Sequence, residues 1–248
     1  MDKMIDINFS FTDDTPDFWK GYWDDEMGHS SVDPDAYSKR LKAYHKLVWS
    51  KPLPNGEYLD LTEGDIYNCL TWKQFRFGSD CITASFRYEK YRYMIRKVID
   101  YLPAYKQFME DYTRRAYTIG GAIIFPKKHG GINQSRGCNP YIRDRIDLTL
   151  ECIRLYYNNQ SSPLENVLKD NKAFFDLFID FKGYVDFFYL QDLVTDDYSA
   201  VKFLLGDGKF ELNPLPKTIE EYFIWMKKQI EFVEKRNERI NNAINVKG

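Results

Sequence analysis

Histidine and cysteine are scarce in this chain of 248 residues, with three of the first and four of the second. Any histidine-based acid–base chemistry must therefore draw on His29, His45 or His129. No pair among Cys69, Cys81, Cys138 and Cys152 has the C-x-x-C spacing of a zinc knuckle or a redox motif. A disulfide framework is not expected at that density, so the thiols read as reduced. No window approaches eighteen apolar residues, which excludes a membrane-spanning helix. Met1 to Ser10 lacks the basic flank and apolar core of an export signal. Excess charge is missing too. The 35 basic and 37 acidic residues leave a formal net charge of −2, unlike the strongly basic balance of a non-specific nucleic-acid binder. A cytoplasmic protein with no membrane partner is expected.

What is present suits a globular fold. Hydrophobic residues make up 44% and charged residues 29%, enough to bury a sizeable core. The aromatic share of 17% accompanies plentiful Asn and Lys, the signature of an AT-rich genome more than of a binding surface. Residues 1–32 are acidic and aromatic and lack periodicity, so they read as an irregular arm docked through Phe18, Trp19, Tyr22 and Trp23. Asp33-Pro34 opens a helix that carries Tyr37, Leu41, Tyr44 and Val48 on one face and ends near Trp49. Asn55-Gly56 marks a turn. Alternation over residues 57–61 and 74–86, the second around a bend at Gly78, predicts short strands, as does the apolar run AIIF before Pro126. Between them a helical stretch is expected from Tyr88 to about Tyr117, kinked or divided at Pro103.

From Tyr141 the pattern turns helical. Ile142, Ile146, Leu150, Ile153 and Tyr157 share a face. Ser162 and Glu165 predict a capping box, and so do Thr218 and Glu221 before a last helix whose buried stripe is Ile219, Tyr222, Phe223, Met226, Ile230 and Val233. The expected architecture is a single α+β domain, predominantly helical, with a small antiparallel or mixed sheet between about Glu57 and Phe125. It comprises the arm at 1–32, an α/β part at 33–137 and a helical part at 138–248.

The stretch IGGAIIFPKKHGGINQSRG, Ile119 to Gly137, is the first candidate site. Strand, glycine loop and helix follow in the order from which phosphate sites are built. Gly120 and Gly121 would let backbone N–H groups approach an anion. Lys127 and Arg136 would neutralise it, Arg136 as the principal contact through its planar fork. Asn133 and Gln134 would read amides or hydroxyls. Neither G-x-G-x-x-G nor G-x-x-x-x-G-K-[ST] is present, so the glycines also read as plain turns. A nucleotide or an RNA end is the expected ligand. His129, His45 or the pair Asp144 and Asp147 would supply acid–base catalysis. Asp144, Asp147 and Glu151 fall at i, i+3 and i+7, a spacing that could hold a divalent metal but more commonly pairs with neighbouring arginines. No metal ligand is assigned, and the cofactor and oligomeric state stay open. The competing reading is a protein-interaction module that uses the aromatic arm and the last helix.

Three resemblances add to this. Arg40 and His45, with four residues between them on a predicted helix, resemble the Arg-x4-His element of all-helical ribonucleases from bacterial defence and toxin systems. That resemblance implies a metal-independent ribonuclease in which arginine stabilises phosphate and histidine serves in cleavage. Leu41 departs from the polar residue usual after the arginine. FGSDCI, Phe77 to Ile82, puts a serine on a strand; near a helix-borne histidine it resembles ADP-ribosyltransferases, without their Glu-x-Glu. WSKPLPNG, GGAIIFP, INQSRG, DRIDLTLECIR and FFDLFIDFKGYVDFF together resemble an uncharacterised bacterial family, a domain of unknown function of about 240 residues. That likeness covers most of the chain and implies a setting among mobile elements, phages or defence loci, but no catalytic residue.

Overall fold

The computed structural model describes residues 4–24, 33–65, 69–83, 104–127 and 131–245. The arm ends in a short helix, α1 (Phe18–Asp24). Phe18 and Tyr22 are buried, Phe18 against the ring of Tyr117 (centroids 5.6 Å apart) and Tyr22 under the hydroxyl of Thr113 (3.1 Å). The single helix expected from Pro34 to Trp49 is divided into α2 (Pro34–Tyr37) and α3 (Lys39–Trp49). Ser38 causes the break. Its backbone is extended, its Oγ accepts from the Leu41 N–H to cap α3 (2.9 Å), and its hydroxyl donates to Asp14 (2.6 Å).

Four strands follow: β1 (Thr62–Glu63), β2 (Leu70–Trp72), β3 (Phe75–Cys81) and β4 (Ala122–Pro126). They form an antiparallel sheet in that order. β4 is buried along its whole length, as its unbroken apolar run requires. Of the long helix expected between residues 88 and 117, α4 (Tyr105–Ala116) is described; Pro103 and the part before it lie outside the described residues. The protein is therefore α+β and mostly helical.

Past β4 come α5 (Ile132–Cys138), α6 (Ile146–Tyr157), α7 (Glu165–Asp170), α8 (Lys172–Phe175), α9 (Phe181–Phe187) and α10 (Ile219–Ile244). α6 starts later than the apolar spacing suggested, because Arg143 and Asp144 both take positive φ (49° and 64°) and close a turn. The capping box expected at Ser162 does not form; α7 begins at Glu165 with no side-chain cap. At α10 half of the box forms: Thr218 Oγ1 accepts from the Glu221 N–H (3.1 Å), while the Glu221 carboxylate accepts from the Lys217 N–H (2.6 Å).

α10 shows what Gly120 and Gly121 are for. Gly120 N–H donates to Asn237 Oδ1 (2.6 Å), and the Arg236 guanidinium donates to the carbonyls of Gly120 (2.7 Å), Ala122 (2.8 Å) and Phe188 (3.0 Å). A Cβ on Gly120 would stand 2.3 Å from the Val233 carbonyl oxygen, and one on Gly121 1.7 Å from that of Ala116. Both glycines are buried between α4 and α10, so the structure uses them for close backbone approach where a phosphate cradle had been expected.

Gly120→Ala is expected to destabilise the protein by about 1–3 kcal/mol or more, since backbone must move. Gly137→Ala, in α5 with its nearest neighbour 4.0 Å from the added carbon, is expected to stabilise by about 0.5–1 kcal/mol. Urea unfolding midpoints of the two variants check this; equal midpoints would contradict the packing account.

Candidate functional site

The chemistry gathers along one edge of β3. β2 pairs with Phe75–Phe77 and β4 with Phe77–Cys81, so among the described strands Ser79–Cys81 have a partner on the β4 side alone. α2 lies against the other edge. There Asp35, in the first turn of α2, accepts from the Ser79 hydroxyl and from the Cys81 backbone N–H. α2 takes that place because Asp33 caps it through the Asp35 N–H (3.0 Å) and Pro34 fixes the first helical φ.

Behind Ser79 a polar chain runs into the core. His45 Nε2 lies 2.8 Å from Ser79 Oγ, and Trp49 Nε1 donates to His45 Nδ1 (2.9 Å). His45 and Trp49 are one turn apart on α3, and both are fully buried. Burial, reinforced by the positive charge of Arg236, pulls the imidazole pKa down to about 3, so His45 is neutral across the physiological range.

In front of it, Asp80 points toward α5. Arg136 there is fully buried and fully engaged. Nη1 pairs with Asp80 and with Asp144 (3.0 Å), Nη2 donates to the Asp144 carbonyl (2.8 Å), and Nε donates to Thr149 Oγ1 (3.3 Å). The expected role of Arg136 as the principal anion contact is corrected accordingly, since its fork is occupied by the protein's own carboxylates. Asn133, one turn earlier on the same face, donates to the Ser79 carbonyl (3.2 Å). Lys127 and Asn133 converge over Gly78: a Cβ there would lie 3.7 Å from Lys127 Cδ and 3.8 Å from Asn133 Nδ2. Lys127 is exposed, and so is Gln134.

The remaining sequence candidates are elsewhere. Asp147 is buried and held by Arg145 (2.6 and 3.0 Å) and by the Leu204 N–H (2.8 Å), so it is a structural carboxylate and not an acid–base group. Asp144 precedes α6, and Glu151 pairs with Arg154 (2.7 Å), so the three carboxylates do not line one helix face. No cluster suited to a metal ion occurs among the described residues. His129 lies outside the described residues. Arg40 is exposed, with its guanidinium 3.8 Å over the ring of Phe9, whereas His45 is interior. The two do not meet in an open cleft, which the ribonuclease reading needs.

The electrostatics single out the two aspartates at β3. Burial is the main cause of a large upward shift of the Asp35 pKa, with the charges of Asp33 and Asp80 next; the hydrogen bonds from Ser79 and Cys81 oppose it. Burial lifts Asp80 to about 7, against the pull of Arg136 and with a further push from Asp144. The field of Asp35 also reaches Cys69, whose thiol burial pushes up to about 12. Two interacting buried carboxyls with raised pKa values, one of them accepting from a hydroxyl, can exchange a proton with a ligand.

Sequence reasoning missed Asp35 and Asp80 as site residues. Both stood in segments it had marked for other reasons, Asp35 in the helix start and Asp80 in FGSDCI. The pairing of α2 with β3 across 44 residues carries no local signal.

Fold and site together define a mostly helical α+β protein with two interacting buried carboxyls at a strand edge. A model for a Family of unknown function (DUF6994) matches residues 5–240, and the chain belongs to that family. No curated protein and no solved structure matches it.

The raised Asp80 pKa has a fixed sign for stability. Between its ordinary value of 3.8 and about 7 the folded protein holds a proton that the unfolded chain has released, so this stabilising contribution is lost as pH rises through about 7. Asp80→Asn is expected to flatten that decline, measured as the change in unfolding free energy between pH 5 and pH 8. An unchanged slope would show that Asp80 titrates normally.

Proposed function

We propose that the protein binds a nucleotide-sized, phosphate-bearing ligand across the β3 edge, with Ser79 and Asp35 meeting its hydroxyls and Lys127 its phosphate. The observation that carries this reading is the pair of high-pKa carboxyls at the β3 edge, Asp80 on the strand and Asp35 accepting from the half-buried Ser79 hydroxyl. Carboxyls suit a ribose diol as acceptors, and an ammonium at the rim suits phosphate as a point charge. Asp35 and Asp80 are the groups that would move a proton on such a ligand, and Asn133 holds the Ser79 backbone in place. The free thiols of all four cysteines favour a reducing, cytoplasmic setting. No helix among the described residues is long and apolar enough to cross a membrane. The interaction-module alternative has less support, because Phe18 and Tyr22 of the arm are turned inward.

A thermal-shift screen against nucleotides, NAD and short RNAs tests the proposal. A ligand at a hundredfold its Kd adds about 2.7 kcal/mol of stability. The shift is expected to vanish in Asp35→Asn and Ser79→Ala and to shrink in Lys127→Met. A shift that survives in both of the first two variants would place binding elsewhere, and no shift from any ligand would favour a protein partner.

A further inference from the structure

We propose that Trp49 is a positioning residue that locks His45 as the Nε2–H tautomer, so that Ser79 is held as a donor to Asp35 and the histidine cannot serve as the base for that serine. The inference rests on the reading of the β3 edge as the ligand site and concerns how its hydroxyl is presented.

The argument follows the hydrogen bonds in order. An indole N–H donates and has no lone pair to offer, so His45 Nδ1, 2.9 Å from Trp49 Nε1, must be the acceptor. A neutral imidazole with Nδ1 accepting carries its proton on Nε2. That nitrogen, 2.8 Å from Ser79 Oγ, is then a donor. The serine oxygen receives this bond and directs its own proton to Asp35 Oδ1. Trp49, His45, Ser79 and Asp35 thus form a chain with one polarity, from the core outward.

Arg236 supports the lock from behind. Its guanidinium carbon lies 5.4 Å from the centroid of the Trp49 ring, and its three carbonyl bonds fix it there. The cation holds the indole in register and opposes a second proton on His45. Ser, His and Asp are all present, but their order differs from that of a hydrolytic triad, in which the histidine sits between the other two and takes the serine proton. Here the serine is in the middle. A proton given up by Ser79 would pass to the ionised form of Asp35 and not to His45.

The test is nitrogen-15 NMR of the full chain labelled at histidine, with carbon-13 titration of the Asp35 carboxyl. In the native protein His45 is expected to show a protonated Nε2 and an unprotonated, hydrogen-bonded Nδ1. Trp49→Phe keeps the ring packing and removes the donor. Losing one neutral hydrogen bond is expected to shift the tautomer ratio about tenfold toward Nδ1–H. Nε2 then becomes an acceptor, Ser79 turns to it, and the Asp35 titration moves to higher pH. A native His45 protonated on Nδ1 overturns the proposal, and that measurement stands even if Trp49→Phe does not fold. A folded Trp49→Phe with unchanged tautomer and unchanged Asp35 titration overturns it as well. Neither readout involves a ligand, so failure of the lock and failure of the ligand reading are told apart.

Discussion

A single buried cation organises the middle of this protein. Arg236 is fully buried on α10, and no carboxylate among the described residues pairs with it. Carbonyl oxygens of Gly120, Ala122 and Phe188 take its protons, tying the C-terminal helix to the start of β4 and the end of α9. Burial lowers its pKa to about 9, so the charge persists at neutral pH. A charge in such surroundings is costly, its Nη2 has no hydrogen-bond partner among the described residues, and the bonds that Nε and Nη1 do make demand glycine at 120. Any side chain at 120 would push the carbonyl away from the guanidinium and Val233 away from the strand. The glycine pair, the long last helix and the buried arginine are one device.

That device reaches the strand edge through Trp49. The indole stands between Arg236 and His45, packed on Phe188 (centroids 5.3 Å apart). Burial, reinforced by the positive charge behind it, keeps the imidazole neutral, and the imidazole contacts the one serine that faces Asp35. On the opposite side, a second buried arginine, Arg136, is matched by Asp80 and Asp144. The two arginines differ in a way that matters. Arg136 is offset by carboxylates, and burial first, with the mutual repulsion of the clustered carboxylates second, raises the pKa values of Asp35 and Asp80.

Local rules found much of the frame. The Asp33-Pro34 start, the Thr218 and Glu221 cap and the apolar run of β4 each follow from side chains within a few residues of one another, and each is where expected. Strand, loop and helix in succession brought Lys127, Asn133 and Arg136 to one place, since α5 folds back over Gly78 and Asp80. What stayed hidden depends on distance along the chain. Gly120 serves a helix more than a hundred residues later, and the pairing of Arg136 depends on Asp80, 56 positions away. The serine of FGSDCI and the histidine of α3 were both noted, but only the fold shows that they touch, and only the indole shows which of them gives the proton.

The account stands on the direction of one proton chain, from the Trp49 indole through His45 and Ser79 to Asp35. Neutron diffraction from crystals of the deuterium-exchanged protein would test it most directly, because it places the deuterons themselves. The account predicts a deuteron on His45 Nε2, none on Nδ1, and the Ser79 deuteron aimed at Asp35. A deuteron on Nδ1, or a Ser79 deuteron aimed at His45, would contradict it.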